Sequence, residues 1–407
     1  MRATKVVEML LCVQGLRVVD VTMRAEQREI VIDVETKKRR HFCPLCPFAT
    51  SSRYDRPASA RRWRQINLGV FRVWLQMQMS RLHCPKHGVI TEAVPWAEHG
   101  SYFTRDFEEM VTWMARQMPK TAIERLAQIA WRTVGTIICR TVDRLLDDKR
   151  FDDLVEIGID EVSYRKGHRY LSVIADHRSG DVVWAGEGKS AETAGAFFDR
   201  LGPERCAQIK VVTMDMSAAF IKAVGEKCPN ATIAFDPFHV VKLANAAVDE
   251  VRREEVRLRK GTAEGRSIKG TRWTLLKAPE SHTDKDRLRL SEVAQLNNRL
   301  YRAYLFKEEL RALYWCGRDS AERHLAACIA WASRSRIAAI VKLGRTLRKQ
   351  RDGILAAVQL GLSNGRMEGI NNKIGVLKHR SYGLHSAPAL IALVYLCCAH
   401  VPVDLPW

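Results

Sequence analysis

The sequence lacks any apolar run long enough to span a bilayer, which takes about 20 residues. It is also short of acids: 46 Asp and Glu stand against 66 Lys and Arg, leaving a net charge of +20. A deficit of that size points to a polyanionic partner, nucleic acid first and an anionic membrane surface second. The missing apolar run argues against the membrane. A disulfide framework is missing as well, because 11 cysteines, an odd number, are scattered over 407 residues. Most of them, the pair Cys397 and Cys398 included, read as small buried hydrophobes. The opening MRATKVVEMLLCVQG has an acid inside its short apolar patch and no small-residue cleavage site. It therefore reads as folded protein and not as a signal peptide. There is no short-period repeat and no low-complexity tail. A cytoplasmic location is expected.

What is present is enough apolar residue, 46%, for real cores, and a length suited to two to four domains. Residues 1–98 carry alternating β-type runs (GLRVVDVTMRAE, REIVIDVE, FRVWLQMQMS), and from Phe103 to Asp148 the pattern turns helical. Residues 151–239 then alternate strands with helices. LVEIGIDEVSY, HRYLSVIAD, DVVWAGE, IKVVTMD and ATIAFD are the strands, AETAGAFFDRLG and AAFIKAVGEKC the helices. Three adjacent strands followed by α, β, α, β predict a mixed sheet covered by helices. Residues 240–360 read as basic and helical, with RKGTAEGRSIKGTRW as a polar loop, and LSNGRMEGINNKIGVLKHRSYGL then starts another helix.

Three sets of residues carry chemistry. Cys43-Pro-Leu-Cys46 and Cys84-Pro-Lys-His87 are two C-x-x-C/H pairs, each beside a strand. Two such turns would complete a tetrahedral zinc site with no open position, hence a structural one; two unrelated turns with free thiols are the alternative. A strand pair fits between them, and His41 and His83 are possible substitute ligands. The segment MPKTAIERLAQIAWRTVGTIICRTVDRLL reads as a helix-turn-helix within 99–150. Ile123, Leu126, Ala127 and Ala130 line the first helix, and the break falls at Trp131-Arg132. Thr133 caps the second helix, and Val134, Ile137, Ile138, Val142 and Leu145 line its buried face. That second helix would meet the major groove through Arg132, Thr133, Thr136 and Arg140.

The third set is acidic. Asp160 interrupts a strand that otherwise reads as buried, and Asp215 ends another, both costly places for an unpartnered carboxylate. Two acids on neighbouring strands can share Mg²⁺, which takes oxygen ligands. A third acid is expected from a helix laid on the sheet. In the segment from Ser363, Met367, Ile370, Ile374 and Leu377 form an apolar stripe, and Glu368 heads a neighbouring face with Asn371, Asn372 and Gly375. Lys373, Lys378 and Arg380 add charge for DNA phosphates. Glu161, Asp176 and Asp236 are rivals by position, and each acid taken singly is also explained as a strand-end, helix-cap or surface residue.

GIDEVSYRKGHRYLSVIADHRSGDVVWAGEGKS, VVTMDMSAAFIKAV, IAFDPFHVVKLANAAVDEVRR and SNGRMEGINNKIGVLKHRSYG, in that order, resemble the ISL-three family of bacterial insertion-sequence transposases over nearly the whole chain. The resemblance implies an α/β multidomain protein with an RNase H-like core (151–239 and 361–407), a helical insertion (240–360), an N-terminal zinc-ribbon-like domain (1–98) and a helix-turn-helix (99–150). It implies a DDE triad of Asp160, Asp215 and Glu368, two Mg²⁺ (or Mn²⁺) per site, one structural Zn²⁺ and a location at the nucleoid. The partners implied are terminal inverted repeats and target DNA, met by a homodimer or higher oligomer. Asp236 and His239 match a D-x-x-H signature of related transposases. Trp273, Trp315 and Trp331 are candidates for handling unpaired bases in the insertion. The ribbon of that family commonly ends in C-x-x-C, where this chain has His87. The competing expectations are a non-catalytic zinc/helix-turn-helix regulator and an RNase H-like nuclease or resolvase without strand transfer.

Overall fold

The computed structural model describes residues 3–11, 13, 15–37, 39–361, 364–381 and 386–405. Ser363, where the segment with the third acid was expected to begin, lies outside them. The chain divides into two compact units, Met1–Leu146 with Arg380–Cys397 and Val401–Trp407, and Asp147–His379 with Cys398–His400. Among the described residues no helix is long and apolar enough to cross a membrane.

The first unit begins with α1 (Ala3–Leu11) and a four-stranded sheet of β1 (Leu16–Arg24), β2 (Glu29–Thr36), β6 (Phe71–Met77) and β5 (Arg61–Leu68), in that spatial order. Alternation along these strands puts Leu16, Val18, Ile32, Val34, Trp63, Val73 and Leu75 into one core. Two small hairpins stand apart from that sheet, β3 (His41–Phe42) with β4 (Ala49–Thr50), and β7 (Arg81–Cys84) with β8 (Gly88–Thr91). The pair β5–β6 lies in the interval between the two C-x-x-C/H turns, where a strand pair was expected to fit. Three helices follow, α2 (Arg105–Gln117), α3 (Lys120–Ala127) and α4 (Trp131–Leu145). Thr104 caps α2 by accepting from the Phe107 amide.

The second unit is built on a five-stranded sheet of β9 (Glu156–Arg165), β10 (Arg169–Asp176), β11 (Val182–Glu187), β12 (Val211–Met214) and β13 (Thr232–Phe235). Its spatial order is β11-β10-β9-β12-β13; the β9–β10 and β10–β11 pairs are antiparallel, and β12 is parallel to both β9 and β13. Parallel neighbours need crossovers, and α5 (Ala191–Leu201), α6 (Pro203–Cys206) and α7 (Ala218–Lys227) supply them. Phe197, Phe198 and Phe220 on these helices are buried against Ile157, Ile159, Val212 and Met214; each such ring contributes about 1.5–3 kcal/mol.

From β13 the chain enters a helical insertion: α8 (Pro237–Leu258), α9 (Ala263–Lys269), α10 (Arg272–Leu276), α11 (Asp284–Leu296), α12 (Asn298–Ala312), α13 (Arg318–Arg334), α14 (Ala338–Lys349) and α15 (Arg351–Leu360). The stretch expected as a loop, RKGTAEGRSIKGTRW, instead forms α9 and α10. Thr262 caps α9 by accepting from the Gly265 amide, and Ile268 and Leu275 are buried; a cap on α9 and one apolar anchor on each short helix outweigh the polar composition. α15 returns to the sheet at Gly353, where a Cβ would stand 2.4 Å from the Phe235 ring. Then come α16 (Gly365–Arg380) and α17 (Ala387–Cys398). Residues 361–407 were expected to close the core as a whole, and Arg380–Cys397 instead group with the first unit.

Candidate active site

The register of the second sheet aligns its acids. Thr213 on β12 pairs with Gly158 on β9, and Met214 pairs with Phe235 on β13. Continued by one or two residues, this register puts Asp160, Asp215 and Asp236 level on three adjacent parallel strands, Asp160 within β9 and Asp215 and Asp236 just past the carboxyl ends of β12 and β13. Side chains alternate along a strand, so Gly158 and Asp160 share a face, and so do Thr213 and Asp215.

Helix α16 covers that face. Its stripe of Met367, Ile370, Ile374 and Leu377 is buried, as the periodicity predicted. A Cβ on Gly158 would stand 2.7 Å from Met367 Cγ and 3.1 Å from His177 Nε2. Glycine there is what lets the helix approach the strand. Two turns of polar contacts fix the approach. Thr213 Oγ1 donates to Asn364 Oδ1 (2.7 Å) and meets His177 Nε2 at 2.5 Å. Asn371 Nδ2 donates to Asp160 Oδ2 (2.6 Å), and the Glu161 amide donates to Asp160 Oδ1 (2.7 Å).

Burial pushes the Asp160 carboxyl above its ordinary range, and the Asp215 charge pushes the same way; the Glu161 amide, Asn371 and His239 oppose. Burial likewise raises Asp236, with Glu368 adding to the rise and the Phe238 amide and His239 opposing it. His239 Nε2 lies 3.8 Å from Asp236 Oδ2. His239 thus lies near both Asp160 and Asp236, with Asp215 beside the first and Glu368 beside the second. A concentration of carboxylates that burial makes costly to ionise suits a divalent cation. The spacing is nonetheless loose: among the described residues only Cys43, Cys46, Cys84 and His87 bring three or more such ligating atoms within 4.8 Å of one another.

The other acids are accounted for locally. Asp176 accepts from the amides of Arg178 and Ser179 in a turn, and Glu161 faces Lys189 at 3.7 Å. Asp215 Oδ1 accepts from the Ser217 amide, and Asp236 caps α8. Sequence reading ranked Asp236 as a rival of uncertain role, because register across β12 and β13 is not written in either strand alone. Of the basic residues, Lys373 is exposed, and Lys378 Nζ donates to the Ser163 carbonyl (2.9 Å). Arg380 donates to the carbonyls of Ala115 and Arg116 at the end of α2, which makes it a helix-end brace. Trp273 and Trp315 are exposed, whereas Trp331 packs edge-on against Phe306.

In the first unit the four ligating atoms of Cys43, Cys46, Cys84 and His87 converge. His87 Nδ1 lies 3.5 Å from Cys43 Sγ, and Cys46 Sγ 3.6 Å from Cys84 Sγ. Burial raises the Cys84 thiol, but the amides of Lys86 and His87, with the His87 ring and Cys46, bring it down to about 6. A thiolate at neutral pH is what a zinc ion requires. The substitutes are not needed: His41 turns to Glu92 (2.6 Å), and His83 is exposed.

The helix pair α3–α4 is present with shifted boundaries. The turn is 128–130, not Trp131-Arg132, because Gln128 takes the left-handed conformation and ends α3. α4 starts at Trp131, so Thr133 lies inside it, and Glu124 Oε1 accepts from the Trp131 amide in place of a Thr133 cap. Ile123 and Ala127 are buried, but Leu126 and Ala130 are exposed. On α4, Val134, Ile137, Ile138 and Val142 are buried and Leu145 is half-buried. Arg132 and Thr136 are exposed. Arg140 Nη2 instead pairs with the buried Glu108 on α2 (2.7 Å), holding α4 to α2.

Comparison with known proteins fits both units. A family model described as "Transposase" matches residues 157–394, and one described as "Helix-turn-helix domain of transposase family ISL3" matches 92–142. The chain is 40% identical over 381 residues to the transposase for insertion sequence element IS1557 in two strains of Mycobacterium tuberculosis, covering 88% of this chain and 85% of the relative. It is 30% identical over 365 residues to the transposase for insertion sequence element IS1001 of Bordetella parapertussis, covering 88% of each. With a family model over more than half its length, and relatives 30–40% identical over 88% of it, the chain belongs to the ISL3 (ISL-three) family of insertion-sequence transposases.

Proposed function

We propose that the protein cleaves DNA at insertion-sequence ends and joins the freed 3′-OH to target DNA, using Asp160, Asp215 and Glu368 as ligands for two Mg²⁺ (or Mn²⁺). The observation that carries this reading is the level row of aspartates on three adjacent parallel strands, faced by the helix that bears Glu368. A sheet with three antiparallel strands followed by two parallel to the first supports an RNase H-like core, with 240–360 as an insertion between β13 and the helix carrying the third acid. When bound, the ions supply a charge clamp for the attacking and leaving oxygens of an in-line displacement. The protein's part is positional. Asn371 holds the Asp160 carboxylate, Gly158 admits the helix, and His239 offsets the crowding of negative charge. Cleavage adds water across a P–O bond, and joining exchanges one phosphodiester for another, so neither step needs a redox partner. Incubating the protein with pre-cut end DNA, target plasmid and Mg²⁺ tests the reading. Joined product is expected; nicked ends without joining would mean a nuclease, and binding alone a regulator.

Residues 1–98 serve in this reading as a zinc-ribbon-like module and 99–150 as the helix-turn-helix that recognises the terminal repeats. Arg132, Thr133 and Thr136 on α4 face the DNA, with Arg140 holding the helix in place. Arg132→Ala is expected to weaken end binding by about 1–3 kcal/mol if it reads a base, with relaxed preference for end over random duplex. Competition gel shifts measure both. A uniform loss on all duplexes would demote Arg132 to a phosphate contact.

A further inference from the structure

The two faces of α14 differ completely. Ala339, Ile340, Leu343, Gly344 and Leu347 are buried. A Cβ on Gly344 would stand 2.6 Å from the Ala332 Cβ of α13, so the two helices touch closely and α14 is firmly seated. The outer face carries Lys342, Arg345, Arg348 and Lys349, all exposed, with Arg336 exposed at the turn before the helix. α14 contains no acidic residue.

Several other cations of the insertion are neutralised. Arg299 pairs with Glu254 and Glu255, Arg311 with Glu280 and Glu308, and Arg351 with Glu322. Among the described residues the α14 cations have no carboxylate at ion-pair distance, and Arg348 donates only to Ser333 Oγ (3.2 Å). Like charges gathered on one rigid face repel one another unless an anion covers them. From Lys342 to Lys349 the helix rises about 10.5 Å, the length of roughly three base-pair steps of one DNA strand. Thr346, between the cations, turns its hydroxyl back to the Lys342 carbonyl. The face therefore offers charge for phosphates and little for reading base edges.

We infer that the outer face of α14 is a sequence-independent grip on the phosphate backbone of duplex DNA, separate from the carboxylate site and from the helix-turn-helix. The inference rests on the reading of this chain as a DNA-joining protein, but not on which acids hold its metals. The test is full-length protein binding a random-sequence duplex over a range of salt. The K342Q/R345Q/K349Q variant should lower the slope of log K against log salt by about 2.7, three contacts at roughly 0.9 each, with an unchanged melting temperature. The charge-keeping variant K342R/R345K/K349R should retain the parental slope. Asp160→Asn should also retain it, so failure of the carboxylate reading and failure of this one are told apart. An unchanged slope in the glutamine variant, a loss confined to end DNA, or an equal loss in the charge-keeping variant would overturn the inference.

Discussion

Asp160→Ala, Asp215→Ala and Glu368→Ala are each expected to abolish cleavage and joining while leaving end binding intact. In the proposed reading each change would remove one oxygen donor from a metal pair whose charge stabilisation amounts to several kcal/mol. A loss of about 5 kcal/mol is a rate lowered by between 10³- and 10⁴-fold. Asp→Asn should be nearly as damaging, since the amide keeps the shape but not the charge. Glu161→Ala and Asp176→Ala serve as controls, because their carboxylates are occupied by Lys189 and by turn amides. Asp236→Ala is the demanding case. It stands level with Asp215 and interacts with Glu368, but it also caps α8. Loss of activity there has to be read beside a melting curve. Supercoiled-donor cleavage and pre-cut joining assays, run in parallel with gel shifts, measure the set. Wild-type joining by Glu368→Ala would remove that residue from the site.

The second large effect is expected in the first unit. One zinc per chain should be found by elemental analysis, and Cys43→Ser should release it. Four-ligand zinc contributes roughly 10–16 kcal/mol to small zinc domains, so losing one thiolate should cost several kcal/mol locally. The hairpins β3–β4 and β7–β8 share a small apolar cluster around Leu82, Cys43 and Cys84, with peripheral ties such as Arg81–Asp55 and His41–Glu92, so a bound zinc would be their main central link. The four-stranded sheet has its own core and should persist. Hydrogen exchange would therefore show opening over about residues 41–50 and 81–91 first, with the second unit protected. His87→Cys should keep the zinc, because thiolate and imidazole are interchangeable ligands. A folded, metal-free parental protein would refute the assignment.

Much of this was legible in the sequence, for local reasons. The strands β9 to β13 follow from apolar runs of strand length, and the buried face of α16 from a 3.6-residue stripe. The two C-x-x-C/H turns needed only their spacing. What was missed depends on tertiary context. Gln128 takes a left-handed conformation that no glycine announced, so the turn before α4 was placed too late. Arg140 looked free for DNA because its partner Glu108 is 32 residues away on α2 and fully buried. α9 and α10 were hidden by polar composition. The row of Asp160, Asp215 and Asp236 depends on register, and register emerges only when strands pair.

The most direct measurement is the anomalous scattering of Mn²⁺ in crystals of the protein bound to a cleaved end. Two ions about 3.5–4 Å apart, ligated by oxygens of Asp160, Asp215 and Glu368, are the predicted result. Ions held by Asp160, Asp215 and Asp236, with Glu368 turned away, would contradict the assignment of the third acid and with it the role given to α16.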